Sequence, residues 1–202
     1  MNDSTFSQGQ LFGERYRIVQ KIGEGGMQRV FKAVDTLLDK HVALKVPKNL
    51  SAQKRFQRSA IVSAKINHPN VAKTLDYIES DSDPCLIEEL IEGKDLQLAV
   101  LKPLGQLDPY LAARIFHYLA KGISASHHAG VIHRDLKPSN VMVAGGINLD
   151  VIKITDFGIA KMAEEELAQA TQEGQSSMSN SQTALGALPY MSPEMLDPMQ
   201  TV

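Results

Sequence analysis

Apolar and polar positions alternate through three short stretches near the start of the chain: RYRIVQKI at 15–22, RVFKAVD at 29–35 and HVALKV at 41–46. A period of two predicts strands. The glycine-rich GEGGMQ (23–28) and TLLDK (36–40) join them closely enough to predict an antiparallel meander. From Ser51 to Asn67 the spacing of Phe56, Ala60 and Ala64 predicts a helix, closed by the Pro69 that follows. Two further strands are expected in VAKTLDYIE (71–79) and PCLIEEL (84–90). After Gly93 the period becomes helical. Asp108 and Pro109 read as N-cap and first helical residue, and Leu111, Ile115, Leu119 and Ile123 form a stripe expected to be buried. VIHRDLKPSNVMV (131–143) and DVIKITDFG (150–158) read as loop-and-strand segments, and the Ser/Gln-rich residues 163–184 as a loop. The outline is a β-rich lobe followed by a helical one.

Composition narrows the class. Lys and Arg number 21 against 23 Asp and Glu, a net charge of −2, which gives no footing for coating nucleic acid. No apolar run approaches the roughly 18 residues of a membrane span, and MNDSTFSQGQ has neither the basic nor the apolar stretch of a signal peptide. A single cysteine, Cys85, forms no internal disulfide and fits a reducing, cytoplasmic compartment.

Five segments occur in order: Gly23-Glu24-Gly25-Gly26-Met27-Gln28-Arg29-Val30, Val42-Ala43-Leu44-Lys45, His133-Arg134-Asp135-Leu136-Lys137-Pro138-Ser139-Asn140, Asp156-Phe157-Gly158 and Ser192-Pro193-Glu194. A glycine turn or a strand lysine alone would mean little, but the series resembles the signature of eukaryotic-like (Hanks-type) serine/threonine protein kinases, in particular their bacterial receptor-type branch. The resemblance implies an α+β, bilobal protein-kinase-like fold. Its N-lobe, 13–91, would be antiparallel β with one helix, after a flexible N-terminus, 1–12. Residues 92–202 would be a mainly helical, incomplete C-lobe carrying the catalytic loop and activation segment. It implies ATP and Mg²⁺ as cofactors and a protein Ser/Thr hydroxyl as acceptor, with self-phosphorylation or dimerisation as further expectations. Gly23 and Gly25 would let the backbone close over the phosphates, and Ile22, Val30 and Ala43 would enclose the adenine, with Glu89 and Ile91 along its edge. Lys45 would hold the α- and β-phosphates. Asp135 would orient the acceptor hydroxyl and take its proton, Lys137 would neutralise the moving phosphoryl group, and Asn140 and Asp156 would bind Mg²⁺. Arg134 resembles the arginine that receives a phosphate on the activation segment, with Thr183 the best-placed acceptor.

The sequence departs from that pattern in places. Gln28 replaces the third glycine of the turn. The helix glutamate that pairs with the strand lysine in the family falls on Ser59, and no Asp or Glu stands between Asp39 and Asp76 to replace it. Glu88, at the position gating the back of the nucleotide pocket, would reach Lys45 in one strand register. Slipped by one residue, it would face solvent, because side chains alternate faces. Ala187 stands where a threonine would bond the catalytic Asp. The chain ends at Val202, eight residues after Glu194, where the family continues through further helices. These departures set a second expectation beside the first: a pseudokinase or fragment that binds nucleotide or a partner without efficient turnover.

Overall fold

The computed structural model describes residues 6–25, 28–48, 56–57, 60–79, 84–157 and 188–191. The alternating stretches form strands β1 (Leu11–Phe12), β2 (Tyr16–Glu24), β3 (Gln28–Asp35), β4 (Lys40–Pro47), β5 (Thr74–Ile78) and β6 (Cys85–Glu89). They make one antiparallel sheet in the order β1-β2-β3-β4-β6-β5. The period of two sorts the side chains. Phe31, Ala33, Val42, Leu44, Val46, Cys85 and Ile87 join Tyr16 and Ile18 in the core on one face. Val30, Ala43, Lys45, Leu86 and Glu88 alternate with them and belong to the opposite face. There Leu86 packs on Phe56 and Ala60.

Residues 56–57 and 60–63 are helical, and the helix ends sooner than the sequence predicts. Ala64 and Lys65 form a turn, and Ile66 N–H donates to Ser63 at 3.0 Å instead of continuing toward Asn67. The reason is tertiary: Ile66 is buried with Val71, Val131, Ile154 and Phe157.

A second antiparallel sheet follows, β7 (Lys94–Asp95), β8 (Val141–Ala144) and β9 (Val151–Ile154), in that order. A π-helical turn, Gln97–Leu101, and helix α1 (Pro109–His128) lie between β7 and β8 in the chain. Asp108 caps α1 as its sequence predicts, Oδ1 accepting from the N–H groups of Tyr110 and Leu111 at 3.0 Å each. Asp108→Ala is expected to lower stability by about 1 kcal/mol in denaturant titration, the usual worth of such a cap. The apolar stripe of α1 is buried at Leu111 and Ile115, against Val141, Val143 and Ile152. At Leu119 and Ile123 it is only half-buried, short of the burial expected along its whole length.

Two junctions hold the sheets in register. Ile154 N–H donates to Asn70 and Ala72 N–H to Ile154, both at 2.9 Å, so residues 70–72 run alongside β9. Gly93 passes against β8 so closely that a Cβ there would lie 2.1 Å from the Val143 carbonyl oxygen. Only glycine permits that approach.

Candidate functional site

β4 is paired on both sides, and its register decides what faces the cleft. Val30 lies opposite Lys45 on β3, and Ala43 lies opposite Glu88 on β6. Glu88 is thus diagonal to Lys45 on the same face, not slipped toward solvent. Lys45 Nζ is 2.5 Å from Glu88 Oε2 and 2.7 Å from Asp156 Oδ1, and Lys45 and Glu88 are both buried. Burial disfavours a charged ammonium, yet the two carboxylates hold the Lys45 pKa above its ordinary value. Burial raises the Glu88 pKa, Lys45 offsetting only part of the effect. Burial acts the same way on Asp156, but the Lys45 ammonium outweighs it and leaves that carboxyl below its usual range.

Asp156 follows β9 with a positive φ of 62°, in the left-handed region. A non-glycine residue there costs on the order of 1 kcal/mol, so the surroundings must hold it. Phe157 does so from the other side. It is buried, its ring 4.5 Å from that of His133. His133 Nδ1 accepts the Asp135 N–H at 3.2 Å and Nε2 lies 2.9 Å from the Thr155 carbonyl oxygen. One ring nitrogen accepts and the other donates, which defines a neutral imidazole protonated on Nε2. Burial, which lowers the His133 pKa, agrees.

The loop that follows gathers its polar groups on Asp135. Lys137 Nζ contacts both carboxylate oxygens, at 3.0 and 2.8 Å. Asn140 Nδ2 donates to Asp135 Oδ2 at 3.0 Å and to its carbonyl at 2.8 Å. Asn140 is also bound to the strand behind it: Thr155 N–H donates to its carbonyl at 2.9 Å. A continuous path therefore runs from Lys45 through Asp156, Thr155 and Asn140 to Asp135 and Lys137.

The glycine-rich turn closes by a bond from Gly25 N–H to the Gln28 carbonyl at 2.8 Å. Glu24 bonds Lys21 and lies 2.6 Å from Lys48, and these ammonium groups hold its pKa down to about 2. Neither Gly23 nor Gly25 has positive φ, and a Cβ on either would meet its nearest neighbour at ordinary distance, 3.7 and 3.9 Å. The turn itself does not require glycine at these positions, so the room they leave is room for something else beneath it. Ile22 is exposed, Val30 half-buried and Ala43 buried. Glu89 turns its side chain to Lys153 Nζ at 2.7 Å, and its N–H donates to the Lys73 carbonyl at 2.9 Å. The Ile91 carbonyl accepts from Gly93 N–H at 2.9 Å.

The sequence does not foreshadow one contact. The side chain of Gln28 reaches Asp156 Oδ1, 3.1 Å from Nε2. Its signal was available in strand alternation, which places residue 28 on the same face as Val30. Arg134 has a φ of 62° and makes no ion pair among the described residues. Ser59, Gly158, Thr183, Ala187 and Ser192-Pro193-Glu194 lie outside the described residues. A separate concavity of about 500 Å³, lined in part by Arg15, Asp35, His68, Glu89 and Lys153, shares Glu89 with the cleft residues above. Four of its charged groups are paired with one another, Arg15 with Asp35 and Lys153 with Glu89.

A strand lysine held by carboxylates, facing an Asp–Lys–Asn loop across the junction of a β-sheet and a helical region, is the arrangement of a bilobal kinase fold. The protein kinase domain model matches residues 16–201, and the chain belongs to that family. It is 35% identical over 191 residues to a probable serine/threonine-protein kinase, CPE1738, of Clostridium perfringens (strain 13 / Type A), covering 92% of this chain and 26% of that protein. It is 37% identical to the serine/threonine-protein kinase pkn2 of Myxococcus xanthus, covering 89% of this chain and 21% of that one. The chain thus spans about a quarter of the length of these relatives. Among solved structures, the Mycobacterium tuberculosis PknI kinase domain superposes with a TM-score of 0.64 at 27% identity, over 76% of this chain and 63% of that one.

Proposed function

We propose that this chain is the catalytic core of a serine/threonine protein kinase, transferring the γ-phosphoryl group of ATP to a protein hydroxyl. The observation that carries this reading is the unbroken path of contacts from Lys45 to Asp135 and Lys137. Phosphoryl transfer asks for positioning and charge neutralisation more than for covalent chemistry, and this path supplies both. The donor set suits Mg²⁺. Asp156 offers a carboxylate, and Asn140, whose Nδ2 is committed to Asp135, keeps an amide oxygen without a partner among the described residues. Two protein oxygens suffice for a cation that takes its remaining ligands from phosphates and water. Mg²⁺, when bound, would supply charge neutralisation between the phosphates.

Lys45 would hold the α- and β-phosphates beneath the room left by Gly23 and Gly25. Ile22, Val30 and Ala43 would enclose the adenine, with the backbone of Glu89 and Ile91 along its edge. Asp135 would orient the acceptor hydroxyl and take its proton, while Lys137, already on both Asp135 oxygens, would neutralise the transferred group. Glu88 takes the place of the absent helix carboxylate. A phosphate on the segment that contains Thr183 would find Arg134 as its cation, and self-phosphorylation is the simplest way to put it there. Cytoplasmic ATP would serve the reaction. Among the described residues no helix is long and apolar enough to cross a membrane. Nucleotide binding without turnover, the competing expectation, has no feature in its favour among the described residues.

Purified chain given Mg²⁺ and γ-labelled ATP is expected to label itself. Asp156→Ala should reduce that label by at least about a hundredfold, the scale on which a preorganised electrostatic partner contributes. Unlabelled wild-type chain that still binds ATP would sink the catalytic reading.

A further inference from the structure

Gln28 opens β3, and Val30, two residues on, lies opposite Lys45. Alternation sends the Gln28 side chain to the same face. There Nε2 donates to Asp156 Oδ1 at 3.1 Å, the oxygen that Lys45 Nζ also reaches, at 2.7 Å. Two donors on one oxygen fix the rotation of the carboxylate and leave Oδ2 without a partner among the described residues. Groups that orient a ligating side chain in this way tune the site almost as strongly as the ligand itself.

The other end of the amide is the more telling. Gln28 Oε1 is buried and has no hydrogen-bond partner among the described residues. Buried acceptors are almost always satisfied, so an orphan beside a candidate metal ligand calls for a donor that the protein does not provide. Mg²⁺ supplies such donors, because it keeps several of its waters when it binds. A glycine at this position, as the family's turn would have, can neither hold Asp156 nor accept from water.

We infer that Gln28 is a positioning residue for the metal: Nε2 holds Asp156 so that Oδ2 is presented, and Oε1 accepts from a water that arrives with Mg²⁺. The inference rests on the reading of the cleft as a Mg²⁺–ATP site.

The test compares the affinity of a non-hydrolysable ATP analogue in EDTA with that in excess Mg²⁺, in wild type, Gln28→Gly and Gln28→Met. Methionine keeps the length of the side chain and removes its amide. The ratio of the two constants measures the coupling between metal and nucleotide. Both variants are expected to lose about tenfold or more of that ratio, the lower end of what a hydrogen bond to a charged group contributes, with the EDTA affinity within about twofold of wild type. An unchanged ratio would overturn the inference. So would tighter binding in EDTA by Gln28→Gly alone, which would make Gln28 a mere plug of the phosphate space. Wild-type chain that binds the analogue with no dependence on Mg²⁺ would remove the reading of the cleft itself, and the inference with it. Thermal unfolding of each variant without nucleotide should match wild type, since the contact is made at the end of a strand.

Discussion

Replacing Asp135 with asparagine is expected to lower the turnover number by about 10²–10⁴-fold, the range over which a positioned general base contributes. The fold should tolerate the change. The Asp135 backbone N–H remains on His133 Nδ1, and an amide of the same shape can still meet Asn140. The ion pair with Lys137 is lost, but Asp135 and Lys137 are both partly open to solvent, so this costs no more than about 1 kcal/mol. On the proposed mechanism, what disappears is the acceptor for the proton of the substrate hydroxyl, together with the charge that holds Lys137. Asp135 belongs to the acceptor side of the cleft and has no expected contact with ATP. The apparent KM for ATP should therefore stay near wild type while the turnover number falls, the pattern of an interaction made in the transition state. Steady-state kinetics against a serine-containing peptide, with thermal unfolding alongside, check both halves. A turnover number within tenfold of wild type would remove Asp135 from the role of base.

Different parts of this site were readable in the sequence for different physical reasons. Asp108 was legible because a cap is local, its bonds reaching only Tyr110 and Leu111. Lys45, Asp135, Lys137, Asn140 and Asp156 were legible through motif order, which the path of contacts now explains in space. Glu88 was legible only as two opposed readings, since a period of two inverts with a one-residue slip. The register Ala43↔Glu88 decides between them, and that register depends on pairing between strands more than 40 residues apart. The early end of the helix was hidden, because Ile66 is drawn out by Val71, Val131, Ile154 and Phe157, none of them a helical neighbour. For Gln28 only the face was legible, through strand alternation, and not its partner, which lies 128 residues away. Local chemistry can be read from the chain, whereas contacts that close between lobes cannot.

Glu88→Leu is expected to separate stability from activity. Three charges share the interior of the cleft: one ammonium and two carboxylates, with Lys45 close to both. Burial already raises the Glu88 pKa, so ionising it is a cost to the fold. Removing it leaves Lys45 and Asp156 as a balanced pair, and replacing a buried carboxylate with an apolar group in such a setting is often neutral or stabilising. The stability of Glu88→Leu should therefore lie within about 1 kcal/mol of wild type, or above it. Lys45→Met should behave in the opposite way, since the buried Glu88 and the half-buried Asp156 would lose the one cation they share among the described residues, at a cost of about 3–5 kcal/mol. The double variant should recover part of that loss, which a double-mutant cycle would show as coupling between the two sites. Activity should follow another order. With Asp156 engaged by the metal through Oδ2, Glu88 would be the carboxylate free to hold Lys45 in line with the phosphates. Without it, transfer should fall by about 10²–10³-fold, as for other preorganised electrostatic partners. Glu88→Gln, which keeps an acceptor for the ammonium, should fall between leucine and wild type. Full activity in Glu88→Leu would show that Lys45 needs no carboxylate from the sheet. A loss of stability matching that of Lys45→Met would mean that Glu88 serves the fold and not the reaction.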